Sequence, residues 1–281
     1  MLDELGYVAD PTPFLATATW FAPLAGRLPC RSGPAAGSGR SSTRAGCCPR
    51  PDEDHILYEV TDGVAVITLN RPERANALSS RHDLKSGMAP PEITLEWIYE
   101  LEARKYLEYS LPWRNVPKPS IAAVQGKCIA GGLLLAWPSD LIVAAENAEF
   151  SDPVVFLGIG GVEYHGHTWE LGPRKAKEIL FTGRAVTARE AEQTGMVNRV
   201  VDLDRLQDET MELARHIARM DGFALRQAKR AVNQTLDIQG FYAAIQSVFD
   251  IHHTGHGNAI SRTGYPIIAR ADQMKEHLKS Q

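Results

Sequence analysis

The spacing of apolar and polar positions divides the chain into an unpatterned beginning and a patterned remainder. Residues 56–60 and 64–69 are alternating, β-branched runs on either side of Asp62-Gly63, which predicts a β-hairpin. Before them, residues 1–54 contain seven prolines among Gly, Ala, Ser and Arg, without periodic apolar positions. A segment of this composition cannot bury enough apolar surface to offset the loss of conformational entropy on folding, so it is predicted to be a largely disordered, atypical extension.

The central pattern is the run 121–137. It predicts a short apolar strand, a turn at Gly131 and Gly132, and a buried helix that ends before Pro138. A strand–turn–helix of this kind directs unpaired backbone N–H groups at whatever lies above the turn. Ahead of it, residues 93–109 show helical spacing, and the prolines from Pro112 onward are expected to end that helix.

Beyond the centre, the pattern predicts a strand over 140–144, a short one over 150–156 and a third over 197–201. Helices are predicted over 173–181, 188–193, 204–220, 223–236 and 241–253. Thr187 and Glu190 form a capping box for the second of these. His252 to His256 are interpreted as a solvated helix end. The chain therefore divides into an extension (1–54), a core (55–200) and a helical region (201–281).

Composition excludes several classes of protein. The 281 residues are 44% hydrophobic and 23% charged with a net charge of −4, which is typical of a soluble globular protein and gives no reason to expect nucleic acid or an anionic membrane as a partner. No run of apolar residues is long enough for a membrane span. The four cysteines form no CxxC pair, so neither disulfides nor a zinc site is predicted, and a reducing, cytoplasmic compartment is expected.

A series of short motifs over residues 55–235 resembles the crotonase (enoyl-CoA hydratase/isomerase) superfamily. Each motif is weak alone, but their order and spacing together are specific. The motifs are Val66-Ile-Thr-Leu-Asn-Arg-Pro72, Asn76-Ala77, His82-Asp-Leu84, Lys118-Pro-Ser-Ile-Ala-Ala-Val-Gln-Gly126, Ala130-Gly-Gly132, Asp140-Leu-Ile-Val-Ala-Ala145, Ala148-Glu-Phe150, Leu180-Phe-Thr-Gly183, Ala191-Glu-Gln-Thr-Gly-Met-Val-Asn198 and Ala228-Lys229. The resemblance implies an α/β (α+β) fold: a crotonase-like spiral of ββα turns with a C-terminal helical trimerisation region.

The resemblance also implies a function in fatty acid or related acyl-CoA metabolism. The carbonyl oxygen of a CoA thioester would be held by two backbone N–H groups, here those of Gly131 and Ser80, which stabilise the enolate-like state. No cofactor is bound permanently, because CoA is part of the substrate, and the protein is expected to form a homotrimer or hexamer. Contacts to CoA are implied for Arg71, Ala77, His82, Asp83, Leu84 and Lys229. Surface salt bridging is an equal alternative for Arg71 and Lys229.

The chain departs from the family pattern near Ser80. Ala77 and Ser80 are almost adjacent, where the family has a much longer segment, and Arg81 replaces a glycine. One core strand–helix unit is therefore predicted to be missing. Residues 14–24 could be recruited in its place.

The residues expected to perform the chemistry also depart from the pattern. The family's hydratases use two glutamates as general acid and base, and Leu134 and Val154 occupy those positions. Glu163, His165 and His167 lie in a nearby loop and are candidate catalytic groups; alternatively, Asp152 caps a turn there and the histidines are satisfied by backbone or solvent. No metal site is predicted, since His165 and His167 lack a third ligand. The prediction is a hydratase/isomerase-type enzyme (lyase or isomerase) that does not use the standard glutamate pair, or alternatively an inactive or truncated member that only binds and oligomerises.

Overall fold

Two β-sheets organise the chain. The computed structural model describes residues 17–21, 56–70 and 93–269, the first of these ranges by its backbone only. The larger sheet has the order β2-β3-β1-β4-β6-β9 and the smaller the order β5-β7-β8. The strands are β1 (Thr17–Phe21), β2 (Ile56–Thr61), β3 (Val64–Leu69), β4 (Ser120–Val124), β5 (Lys127–Ile129), β6 (Leu141–Ala145), β7 (Glu149–Ser151), β8 (Val186–Thr187) and β9 (Arg199–Val201).

From β4 to β7, strands of the two sheets alternate along the chain, so that β4 leads into β5 and β6 into β7. The pairs β4–β6, β5–β7 and β6–β9 are parallel. Parallel neighbours need crossover connections. The chain therefore passes from β4 through β5 back to β6, and from β5 through β6 to β7, adding one strand to each sheet in turn. The hairpin predicted across Asp62-Gly63 is confirmed as the antiparallel pair β2–β3.

Strand β1 lies within the segment for which the sequence predicts disorder. It pairs antiparallel with β3 on one side, where Ala18 is opposite Ile67, and with β4 on the other, where Ala18 is opposite Ala122. Its five residues thus occupy the position between the hairpin and β4, inside the range 14–24 that the sequence offered as a replacement. The rest of residues 1–54 lies outside the described part of the chain.

The helices cover the sheets and form the C-terminal part of the described chain. They are α1 (Leu95–Glu102), α2 (Glu108–Arg114), α3 (Leu133–Ala136), α4 (His167–Thr182), α5 (Ala188–Thr194), α6 (Leu206–Ala218), α7 (Gly222–Ile238) and α8 (Phe241–Thr263). One turn of π-helix, Ala103–Leu107, joins α1 to α2, and 3-10 turns lie at Ala130–Gly132, Pro153–Leu157 and Leu203–Arg205. Among the described residues, no helix has the length and apolar character needed to cross a membrane.

Two predicted helix ends are wrong. The helix that starts near residue 93 does not stop before Pro112 but contains it and continues to Arg114, because the π turn re-registers the chain ahead of the proline. The last helix does not end at His253. It continues to Thr263, since its buried positions continue past His253 to His256 and Ala259.

The central strands β4 and β6 of the larger sheet are buried on both faces, which explains why they are continuously apolar, whereas the edge strand β2 is exposed. In β4, Ile121 and Ala123 pack towards α6, while Ala122 and Val124 face the main core. The main core contains Leu133, Leu134 and Ala136, so most of the helix after the glycine turn is held by apolar contacts. The turn that precedes it is therefore fixed in place.

The capping box of α5 is confirmed and lends itself to a stability test. Thr187 and Glu190 cap each other, and Arg184 binds the Glu190 carboxylate at 3.1 Å. Hydrogen bonding to Arg184 lowers the pKa of Glu190 to about 2. Glutamine can complete the capping box but removes the charge that Arg184 and Lys175 bind, so we expect Glu190→Gln to reduce the free energy of unfolding by about 1 kcal/mol at neutral pH.

The pH dependence of that difference gives the check. Because the folded-state pKa of Glu190 is depressed, its contribution is present above the ordinary carboxyl pKa and is lost as the pH falls towards 2. Urea unfolding of both proteins at several pH values measures this, with the exposed residue Glu146, changed to glutamine, as control. A difference that stays constant down to the acid limit would contradict the assignment.

Candidate active site

The glycine turn after β5 has the geometry of an anion-binding helix start. Ala130 has a φ of +44°, a left-handed conformation that costs a non-glycine residue about 1 kcal/mol or more. Gly131 follows as the second residue of the 3-10 turn, where the N–H has no acceptor within the helix. Strain of this kind persists only where the surroundings over-determine the backbone, as the packed Leu133–Ala136 helix does here.

Gly132 has a different reason to be glycine. A Cβ at this position would lie 3.0 Å from Cys128 Sγ, so the helix start and β5 are closer than a side chain allows. Of the two glycines, Gly131 lines a cavity. Gly132 is therefore explained by its close packing against Cys128, whereas Gly131 faces the cavity.

The cavity beside Gly131 is a narrow space of about 30 Å³. Most of its wall is apolar and includes Leu134 and Val154, which are 2% and 6% exposed. Two carboxyl groups and two imidazoles break this apolar wall: Glu102, Glu163, His252 and His256. Of the three predicted catalytic side chains, only Glu163 lines the cavity.

Glu102 is buried and is surrounded by three imidazoles of α8. Its Oε2 lies 3.0 Å from His252 Nε2, 3.2 Å from His253 Nε2 and 3.3 Å from His256 Nε2. These contacts hold the pKa of Glu102 well below its usual range, despite burial, which acts in the opposite direction. The carboxyl group is therefore ionised.

Helix α1 places Glu102 at the cavity. Glu102 is the last residue of α1 and lies one turn after the buried Ile98, on the same face of the helix. The π turn begins directly after it, at Ala103, and contains Tyr106, which lines the same cavity. Single π turns are frequent at functional sites, and this one adjoins the carboxylate of the cluster.

Gly255 allows α8 to approach the loop that supports the histidines. A Cβ there would lie 2.7 Å from Gly158 O and 3.2 Å from Ile159 Cα, so any larger residue would push the helix away. The close approach lets His252 Nδ1 reach Gly161 O at 2.7 Å. The glycine-rich loop over 158–161 therefore acts as a backbone support for the imidazoles.

The interpretation of the His252–His256 run as a solvated helix end is wrong. His252, His253 and His256 are at most 5% exposed and lie in the interior of α8. A signal was present in the sequence: these histidines follow Phe241, Ile245 and Phe249 at helical spacing, so they continue the apolar face. The sequence also gave no role to Glu102, which follows Leu95 and Ile98 on the apolar side of α1.

Glu163 is the predicted catalytic residue that the structure brings to the turn. It is 8% exposed and shares the cavity wall with Gly131. Burial, helped by the negative charge of Glu102, raises the pKa of Glu163 to about 8. A carboxyl group with such a pKa can both hold and release a proton near neutral pH.

The two predicted catalytic histidines, His165 and His167, do not line the cavity. His167 is fully buried with Nε2 2.9 Å from Asp152 Oδ2, the oxygen that also accepts the Val162 N–H at 2.8 Å. Asp152 thus caps the loop, as the alternative interpretation expected. The His165 ring packs against that of His167, and burial lowers the pKa of His165 to about 4, so it is neutral at pH 7.

Lys229 is held in a structural ion pair. Its Nζ lies 2.8 Å from Asp140 Oδ2 and 3.0 Å from Lys118 O, and its side chain is 7% exposed. This geometry favours the salt-bridge alternative over a contact with CoA phosphate. The remaining predicted site residues, Arg71, Ala77, Ser80, His82, Asp83 and Leu84, lie outside the described residues.

Comparisons with known proteins agree on one family. The sequence model described as "Enoyl-CoA hydratase/isomerase" matches residues 98–264. A putative enoyl-CoA hydratase of Mycobacterium tuberculosis is 46% identical over 170 residues, which cover 60% of this chain and 52% of that protein. The chain thus spans about half the length of this relative. A probable enoyl-CoA hydratase of Rhizobium meliloti is 34% identical, with 65% of this chain and 82% of that protein covered.

Solved structures give the same result for the fold. A probable enoyl-CoA hydratase from Mycobacterium thermoresistibile is 62% identical with a TM-score of 0.73, covering 76% of this chain and all of that one. A second, from Mycobacterium smegmatis, is 61% identical with a TM-score of 0.74, covering 77% of this chain and 99% of that one. The fold of the described chain is accordingly that of these proteins.

Proposed function

Since the chain belongs to the enoyl-CoA hydratase/isomerase family of the crotonase superfamily, we propose that it binds an acyl-CoA thioester and stabilises the enolate of that thioester. The observation that carries the proposal is the position of Gly131. Its N–H lies at the start of a helical turn, on the wall of a cavity that the titratable side chain of Glu163 also lines.

Gly131 supplies one of the two donors that an oxyanion hole requires. Negative charge develops on the thioester oxygen when a proton leaves Cα, and a fixed N–H directed at that oxygen stabilises it by about 3 kcal/mol. The strained Ala130 fixes the direction of the Gly131 N–H before substrate arrives. The second donor is the N–H of Ser80, on the family resemblance.

Glu163 performs the proton transfer in this proposal. Leu134 and Val154 line the cavity, and neither side chain can carry a proton. On the family resemblance, they occupy the positions of the two hydratase glutamates. Glu163 is the candidate general base because it faces the same space and its pKa is about 8. The reaction is therefore proton abstraction α to a thioester, as in a lyase or isomerase, rather than hydration by a glutamate pair.

Assembly into a homotrimer or hexamer is part of the same proposal. Helix α7 buries none of its residues within the single chain, and Phe223, Val232 and Ile238 are all more than 60% exposed. Apolar side chains along one otherwise unburied helix support a subunit contact in the C-terminal region.

The proposal can be tested with the full chain and a panel of saturated, enoyl and malonyl CoA esters. We expect calorimetric binding at or below about 1 mM. We also expect the α-protons of at least one bound ester to exchange with D₂O, which mass spectrometry detects whatever the later steps are.

The possible outcomes separate the proposal from its alternative. Lack of binding to every ester at millimolar concentration would overturn it. Binding without exchange would favour the inactive member that only binds and oligomerises. Free CoA is the control, because it retains the phosphates and lacks the thioester carbonyl.

A further inference from the structure

Three nitrogen and oxygen atoms of the cavity wall form a compact triangle. Glu102 Oε2 lies 3.0 Å from His252 Nε2 and 3.3 Å from His256 Nε2, and the two nitrogens are 3.0 Å apart. All three side chains are buried. Atoms bound to one ion at 2.0–2.1 Å in tetrahedral geometry lie about 3.3 Å from each other, so the triangle is within a few tenths of an ångström of a face of such a site.

The outer side of each imidazole supports this interpretation independently. His252 Nδ1 lies 2.7 Å from Gly161 O, and His256 Nδ1 lies 2.7 Å from Pro266 O. A carbonyl oxygen only accepts, so each Nδ1 carries a proton, and Nε2 is the atom that each ring directs inward to Glu102. Histidines that bind metals are usually oriented by a backbone carbonyl or carboxylate in this way.

Without a cation, the contacts among Glu102 Oε2, His252 Nε2 and His256 Nε2 are poorly satisfied. Two Nε2 atoms that are 3.0 Å apart can share one proton between them, and they converge on a single carboxylate oxygen. Either an imidazolium or a metal ion can compensate the negative charge of Glu102. A metal ion accepts all three lone pairs at once, whereas a proton can lie between only two of these atoms.

We propose that Glu102, His252 and His256 bind a divalent transition-metal ion, with Zn²⁺ as the preferred class. The two histidines are one helical turn apart on α8, the spacing that places two Nε2 atoms on one ion. His253, whose Nε2 touches the same Glu102 oxygen at 3.2 Å, orients the carboxylate.

All three proposed ligand residues line the cavity that Gly131 and Glu163 also line, so a fourth ligand could enter from that cavity. Three protein ligands with one open position is the arrangement of catalytic rather than structural zinc. The open position would accept a water molecule or a ligand oxygen. This catalytic aspect depends on the proposed function, whereas binding of the ion does not.

Metal content tests the site directly. The full chain is purified without metal-affinity chromatography, stripped with a chelator, dialysed against Zn²⁺ and analysed by mass spectrometry. We expect one ion per chain to survive desalting, and saturating Zn²⁺ to raise the melting temperature by about 5 °C or more. With Co²⁺ as the probe, we expect the absorption spectrum of a tetrahedral site.

Matched variants assign the ligands. His256→Gln preserves the volume of the side chain and is expected to weaken Zn²⁺ binding by about 100-fold or more. His216→Ala, at an exposed histidine of α6, should bind as the unmodified protein does. Equal affinity in the two variants would overturn the proposal.

The unmodified protein alone also decides the question, so a misfolded variant leaves no ambiguity. Loss of all Zn²⁺ on desalting, or a Co²⁺ spectrum unchanged from the free ion, would show that Glu102 is compensated by protons instead. Because the test counts ions and not turnover, its failure is distinguishable from failure of the proposed acyl-CoA activity.

Discussion

Glu163→Gln is expected to slow the α-proton exchange of a bound CoA ester by about 100-fold or more, the usual loss when a general base is removed. Glutamine keeps the size of the side chain but cannot accept the proton. Binding of the ester should change little, because a glutamine of the same size preserves the cavity wall and the Gly131 N–H is untouched. The loss should therefore appear in the exchange rate and not in the calorimetric affinity.

The pH profile provides a second test of Glu163. A base must be ionised, and burial raises the pKa of this carboxyl group to about 8. Exchange by the unmodified protein should accordingly rise as the pH increases towards 8 and level off above it. The profile is measured on chelator-treated protein, since a cation at Glu102 would lower the pKa of Glu163.

Glu170→Gln is the matched control. Burial also raises the pKa of Glu170, to about 7, but this carboxyl group lies on α4 and does not line the cavity. An equal loss in both variants would trace the effect to disturbed packing. An unchanged exchange rate in Glu163→Gln, with the melting temperature preserved, would exclude Glu163 as the base.

Features encoded by neighbouring residues could be predicted from the sequence. Asp62-Gly63 defines a two-residue turn because both backbones adopt positive φ, and Thr187 with Glu190 completes a cap within a single turn of helix. The turn at Gly131 can be predicted because two glycines separate a short apolar strand from an apolar helix within a few residues. Each of these depends on contacts across a few residues, which a local pattern contains.

The Glu102 cluster depends on contacts that no local pattern contains. Glu102 and His252 are 150 residues apart, and each is an ordinary polar residue until the other is placed beside it. The spacing of His252 and His256 after Phe249 could have shown that they are buried. It could not have shown which carboxylate lies opposite, or that a π turn follows Glu102 directly.

Glu102→Ala is expected to reduce the free energy of unfolding by about 3–5 kcal/mol, the range found when one partner of a buried charge pair is removed. The substitution leaves His252, His253 and His256 buried without their shared acceptor and also creates a cavity. Guanidinium unfolding in the presence of a chelator measures this loss separately from any contribution of a bound ion. The slope of the transition should stay unchanged if the fold is preserved.

Two further variants divide the loss into its causes. Glu100→Ala removes an exposed carboxylate two residues earlier, whose pairing with Arg104 is largely solvated, and should change stability by no more than about 0.5 kcal/mol. Glu102→Gln keeps the volume and one acceptor oxygen but removes the charge, so it should fall between the two. If Glu102→Ala costs no more than Glu100→Ala, the three imidazoles do not need the carboxylate. The charge of Glu102 would then be unnecessary for holding α8 against α1, and the cluster would lose its role in the architecture of the cavity.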